Sequence, residues 1–255
     1  MNKIALFAAA CGLGAGAMLA CSSDEPAPAP GGSGGAESDA SFARDGSTYD
    51  SAVSPESGLG ELMFRPDKVY TGVDGTRVFK LPIAVYDSDA DLTVTSSDSS
   101  AMVIANASLK NPVSPDGVVD NGKYFLITAL KAGSFTLTAR SAGRSATAAV
   151  TVTAYASDRY AAGEARYNSN VTTATADRGC KVCHVNGSSI DQSPAALATA
   201  TDQEIGMMIT SGVKPGPQVI KIPSEPGTPH KWQATANELT GLVTFLRALE
   251  PRGFQ

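Results

Sequence analysis

Cys180, Cys183 and His184 stand as Cys-Lys-Val-Cys-His, the one C-x-x-C-H run in 255 residues. Two thiols one helical turn apart can add across the two vinyl groups of a porphyrin. The next residue offers its imidazole to the iron from the proximal side, so the run carries the attachment signature of a c-type haem. Tetrahedral zinc competes for the same cluster, because Cys-x-x-Cys beside a histidine also suits it. Structural zinc takes four protein ligands, so beyond the three of the cluster it would have to recruit Cys11, Cys21 or His230. One haem c, bound through two thioethers with His184 as proximal ligand, is therefore the expected cofactor.

Helical elements must position that cluster. From about Ser157 the apolar residues recur at helical spacing, with Tyr160, Gly163 and Tyr167 on one face ahead of the motif. Near the other end, Leu239, Leu242, Val243, Leu246 and Leu249 share a face. Thr235-x-x-Glu238 reads as the capping box of that helix and Pro251 as its stop. A middle helix is opened by Thr201-x-x-Glu204 and closed near Gly212. The order of helix, C-x-x-C-H, loop, middle helix, ligand loop and last helix resembles a class I cytochrome c over residues 156–255. The resemblance implies an all-α cytochrome c domain whose first and last helices cross at Gly163, with Tyr167 and Phe245 beside it.

The same resemblance implies further site residues. A proximal histidine needs its second ring nitrogen held, or the ring rotates and its basicity changes; in the family a carbonyl at or just before a proline does this. Ser193-Pro194 is the candidate, with a plain turn proline as the alternative. The family places methionine in the loop before the last helix, and here 227–232 contains none. His230, the chain's only other histidine, is the expected sixth ligand, since imidazole binds iron strongly. Met207 and Met208 are the rivals, Met208 sharing an apolar face with Ile205 and Ile209 as core filler would. An open sixth position is the third possibility. Trp232, the sole tryptophan, packs either on the haem edge or at a loop–helix junction.

Residues 61–155 carry a different rhythm. Phe135, Leu137 and Ala139 alternate with polar neighbours, as do Val150 and Val152. Period two with turn pairs such as Asp74-Gly75 and Asn121-Gly122 predicts about seven strands in an antiparallel sandwich. The runs 93–101, 127–139 and 146–152 resemble the bacterial Ig-like (BIG2-type) repeat, which implies a spacer or an adhesive module without catalytic residues. The fold class expected is a multi-domain chain, a β-sandwich (Ig-like) followed by the helical domain.

The N-terminus reads as a targeting segment. Lys3 and an apolar run to about Ala20 make a secretory signal over 1–20, too short to span a membrane. Met18-Leu-Ala-Cys21 resembles the lipobox of bacterial lipoproteins, which implies acylation of Cys21 and, with Ser22 following, sorting to the outer membrane. Residues 21–60 are rich in proline, glycine and serine and read as a disordered tether with a root-mean-square span of about 35 Å. From Ser22 to Gly60 seven acids face Arg44 alone, a net charge of −6, whereas 61–155 and 156–255 each balance nine acids against nine bases. Neither folded part has the basic excess of a nucleic-acid binder.

Together these observations predict an exported, lipid-anchored monohaem electron carrier that exchanges electrons with another redox protein and is not itself an enzyme. A peroxidase or oxidoreductase subunit is the alternative, as is a surface adhesin or sensor that uses the Ig-like module.

Overall fold

The structure is a computed structural model that describes residues 60–113, 117–169, 179–182, 184, 191–216, 218–220 and 230–255. One compact unit takes in all of them. The expected signal peptide, Cys21 and all of the tether but Gly60 lie outside the described residues, as does Cys183.

Eight strands build the sandwich: β1 (Met63–Arg65), β2 (Lys68–Val73), β3 (Lys80–Tyr86), β4 (Thr93–Ser96), β5 (Met102–Ala107), β6 (Lys123–Ala129), β7 (Gly133–Ser141) and β8 (Arg144–Ala154). One sheet runs β1-β3-β6-β5 and the other β2-β8-β7-β4. All pairs are antiparallel except β2 with β8, which run parallel with Tyr70 opposite Thr151. Alternation places Leu81, Ile83 and Val85 of β3, Ile127 of β6, Leu137 of β7 and Val150 of β8 in the shared core. Burying each such side chain contributes about 1.5–3 kcal/mol.

Strand β3 is buried on both faces. Its other face, Ala84 and Tyr86, lies under Ala195 and Phe254 from the C-terminal part of the chain. The terminus is stitched there by reciprocal backbone bonds between Ser108 and Gln255, 2.9 and 3.1 Å.

That part contains α1 (Arg159–Asn168), α2 (Pro194–Leu197), α3 (Asp202–Ser211), a hairpin of β9 (Val213–Lys214) with β10 (Gln218–Val219), and α4 (Ala236–Arg247). Both expected capping boxes form: Thr201 and Glu204 open α3, Thr235 and Glu238 open α4. Helices α1 and α4 cross where Gly163 meets Gly241, so closely that a Cβ on Gly163 would overlap the Gly241 carbonyl. Tyr167 and Phe245 pack beside the crossing with ring centroids 4.9 Å apart.

The expected all-α cytochrome c domain is not what forms. Ten strands stand against four α-helices among the described residues, the last two strands within the C-terminal part itself. Nor do its helices close a core of their own. Phe79 and Tyr155, flanking the sandwich, are buried with Ile205, Leu242 and Leu246, and Ala198 sits in the sandwich core. Helix α4 is buried at every position from Gly241 to Arg247. Arg247, 1% exposed, donates to the carbonyls of Tyr70, Leu197 and Ala200 and to the Asp202 carboxylate. Tyr155 donates to the other oxygen of Asp202 at 2.8 Å. Helical periodicity cannot reveal this, because a guanidinium that bonds a distant strand looks like any other basic residue at a helix end.

Candidate functional site

Tyr167, Cys180, His184, Gln192, Ile209, His230, Trp232, Leu242 and Leu246 line one small cavity of about 20 Å³. Four elements supply it. Helix α1 delivers Tyr167 from its last turn, α3 delivers Ile209, and α4 delivers Leu242 and Leu246 one turn apart. A short 3₁₀ turn over Cys180–Val182 carries the cysteine, and the His184 amide continues it by bonding the Cys180 carbonyl at 3.1 Å.

His230 is positioned by the end of α3. The last carbonyls of a helix have no partner within it, and two of them accept bonds from the loop that carries His230. His230 Nδ1 lies 3.0 Å from the Met208 carbonyl oxygen, and the Trp232 amide donates to the Ile209 carbonyl at 3.0 Å. A carbonyl can only accept, so Nδ1 bears the proton and Nε2 keeps the lone pair. Trp232 covers one side of the ring, with centroids 4.4 Å apart.

His184 faces His230 edge to face, with centroids 6.2 Å apart and ring planes at 86°. Burial and then the neighbouring His230 lower the His184 pKa to about 4. Burial also lowers that of His230, against the bond to Met208. Both rings are therefore neutral near pH 7, the form that binds metal. His184 Nδ1 is buried and has no hydrogen-bond partner among the described residues. Tyr167 holds the backbone instead, its hydroxyl donating to the His184 carbonyl at 2.9 Å and lying 3.2 Å from the Gln192 side chain.

The expected site residues divide accordingly. Cys180, His184, His230 and Trp232 line one cavity; neither Met207 nor Met208 does. Met207 is exposed, and Met208 contributes its carbonyl rather than its sulfur. Pro194 is buried in the first turn of α2 and does not line the cavity. The Ser193 carbonyl before it accepts from the amides of Ala196 and Leu197. No group of three or more His, Cys, Asp or Glu converges among the described residues. Sequence reasoning did not find Tyr167 and Gln192 as neighbours of His184, nor the Met208 carbonyl. Tyr167 carried a packing signal only, and a backbone acceptor carries none.

A larger recess of about 630 Å³ runs along the edge of β1, lined by Glu61 to Asp67 and by Ser145 to Thr147. It gathers no histidine or cysteine. No described helix is long and apolar enough to cross a membrane.

No family model matches the chain and no curated protein does. Solved structures give partial likenesses. The S-layer protein SbsC aligns through its domains 4 and 5 with 18% identity and a TM-score of 0.28, over 38% of this chain and 46% of that one. A fragment spanning SbsC domains 1–6 gives the same identity and TM-score over 13% of its length. The M1 domain of titin aligns at 11% identity and a TM-score of 0.23, over 36% of this chain and 93% of its own. The chain covers less than half of each S-layer fragment.

Proposed function

We propose that this protein carries one covalent haem c and passes electrons to or from another extracytoplasmic redox protein. Cys180 and Cys183 hold the macrocycle, and His184 and His230 ligate its iron. The observation that carries the reading is the pair of neutral imidazoles facing each other at 6.2 Å in an apolar cavity beside Cys180. Two imidazoles would complete an iron centre if a macrocycle supplied the other donors; zinc would instead take Cys180, Cys183, His184 and His230 together, and the C-x-x-C-H spacing of haem attachment is what favours the porphyrin. The donor set and the apolar walls of Ile209, Leu242 and Leu246 suit an iron porphyrin. The cavity of about 20 Å³ has room for about one water, so a porphyrin would have to displace part of this lining.

Such a group supplies reversible one-electron chemistry at iron. The chain's part is to bind, orient and exclude. Met208 keeps the His230 proton on Nδ1 and so leaves Nε2 for the metal. Leu242, Leu246 and Trp232 would give the group apolar walls. Two strong ligands close the iron to small molecules, which suits electron transfer rather than peroxide chemistry. In the same reading Cys21 anchors the exported protein to a lipid surface.

The ferric protein should be low-spin and slow to bind cyanide, with the strongly anisotropic EPR signal of perpendicular imidazole planes. His230→Ala should open the sixth position and admit cyanide and carbon monoxide. A His230→Ala protein with the parent spectrum, or a parent that binds cyanide at once, contradicts this ligand set.

A further inference from the structure

Gly212 closes α3 in the left-handed conformation, with φ of 66° and ψ of 33°. That alone favours glycine. A second constraint falls on the same position. The His230 main chain passes directly over the Gly212 Cα. A Cβ built there would overlap the His230 carbonyl oxygen, 3.2 Å from its carbonyl carbon and 3.5 Å from its Cβ. These are backbone atoms and the root of a side chain, which cannot swing aside as a flexible tip can. The Gly212 carbonyl meanwhile accepts from the Ile220 amide at 2.7 Å, fixing the glycine from its other side.

Three contacts therefore seat His230 on the end of α3: Nδ1 on the Met208 carbonyl, the Trp232 amide on the Ile209 carbonyl, and the bare Cα of Gly212 beneath the main chain. We infer that Gly212 is a positioning residue that sets the height of His230 above the cavity and so decides whether His230 reaches the metal. Any side chain at 212 lifts the His230 backbone until normal contact is restored. A metal–nitrogen bond of about 2 Å tolerates little of that movement. Position 212 thereby controls how open the iron is to small molecules. This rests on the haem reading above.

Three variants of the full, haem-loaded chain separate the two constraints. Gly212→Asn keeps a residue that tolerates the left-handed conformation but adds the Cβ. Gly212→Ala adds the Cβ together with backbone strain. Gly216→Ala adds comparable strain, at φ of 84°, where nothing lies within 4 Å of the new Cβ. Both Gly212 variants should lose the low-spin signature and bind carbon monoxide in the ferrous state, while Gly216→Ala keeps the parent spectrum. Gly212→Asn with the parent spectrum and no carbon monoxide binding overturns the inference. A colourless parent would fail the haem reading, and the inference then rests on proton NMR of the apoprotein. The slowed exchange of the His230 Nδ1 proton should be lost in Gly212→Asn and kept in Gly216→Ala; its persistence in Gly212→Asn overturns the inference there.

Discussion

Withdrawing the His184 ring from water disfavours its cation, and the adjacent His230 adds to the effect, so that the folded pKa is about 4 against an ordinary 6.5. The folded value lies below the unfolded one. Between pH 6.5 and 4 the unfolded chain binds more protons, and stability is lost as pH falls through that window. With no group bound, the loss attributable to His184 should be about 1–3 kcal/mol by pH 4. Urea titrations at pH 7, 5.5 and 4 check this, with His184→Gln flattening the dependence; an unchanged slope in that variant contradicts the burial account. How much of the site was legible at this scale follows from the same chemistry. Cys180, His184, His230 and Trp232 announce themselves by type and scarcity, and they share the cavity. The partners that hold them do not: Met208 acts through its carbonyl, Tyr167 through a hydroxyl on the His184 backbone. Pro194 came from the cytochrome c resemblance, and the Ser193 carbonyl before it accepts from the Ala196 and Leu197 amides at the start of α2.

At the scale of elements, local rules were readable and cross-chain ones were not. Thr201 with Glu204 and Thr235 with Glu238 lie within one turn of each other, so their capping boxes show in the sequence and form in the structure. Gly163 was marked as a crossing point by the cytochrome c resemblance alone, and its counterpart Gly241 sits inside α4 without a local signal. Gly163→Ala should be destabilised by about 1–3 kcal/mol, because the new methyl meets backbone that cannot yield. Gly206→Ala, in α3, meets Leu239 at an ordinary 3.5 Å and should be neutral or stabilised by up to about 1 kcal/mol. Thermal melts of the pair test the assignment; equal effects at both positions would contradict the helix crossing. The β9–β10 hairpin, two residues to a strand, is too short for any period to register.

For the whole molecule, the division of sequence rhythm at about residue 155 is not a division of the core. Phe79 and Tyr155 are buried with the helices, Ala195 and Phe254 cover β3, and Arg247 reaches the carbonyl of Tyr70. Such pairings join residues as much as 177 positions apart, and composition and periodicity, which act over a turn or a strand, carry no trace of them. A fragment of residues 156–255 would leave the Arg247 cation without its Tyr70 acceptor and the Leu242 face without Phe79. It should lack a cooperative transition, whereas 60–255 unfolds in one. Calorimetry of both chains checks this, and a fragment melting as the parent does would restore an independent helical domain. Haem attachment at Cys180 and Cys183 has a direct measurement. The full chain, matured in a host that attaches haem outside the cytoplasm, should yield on digestion a peptide containing Cys180 and Cys183 with the mass of one added haem and no alkylatable thiol. The same peptide recovered unmodified, both thiols open to alkylation, would contradict the account.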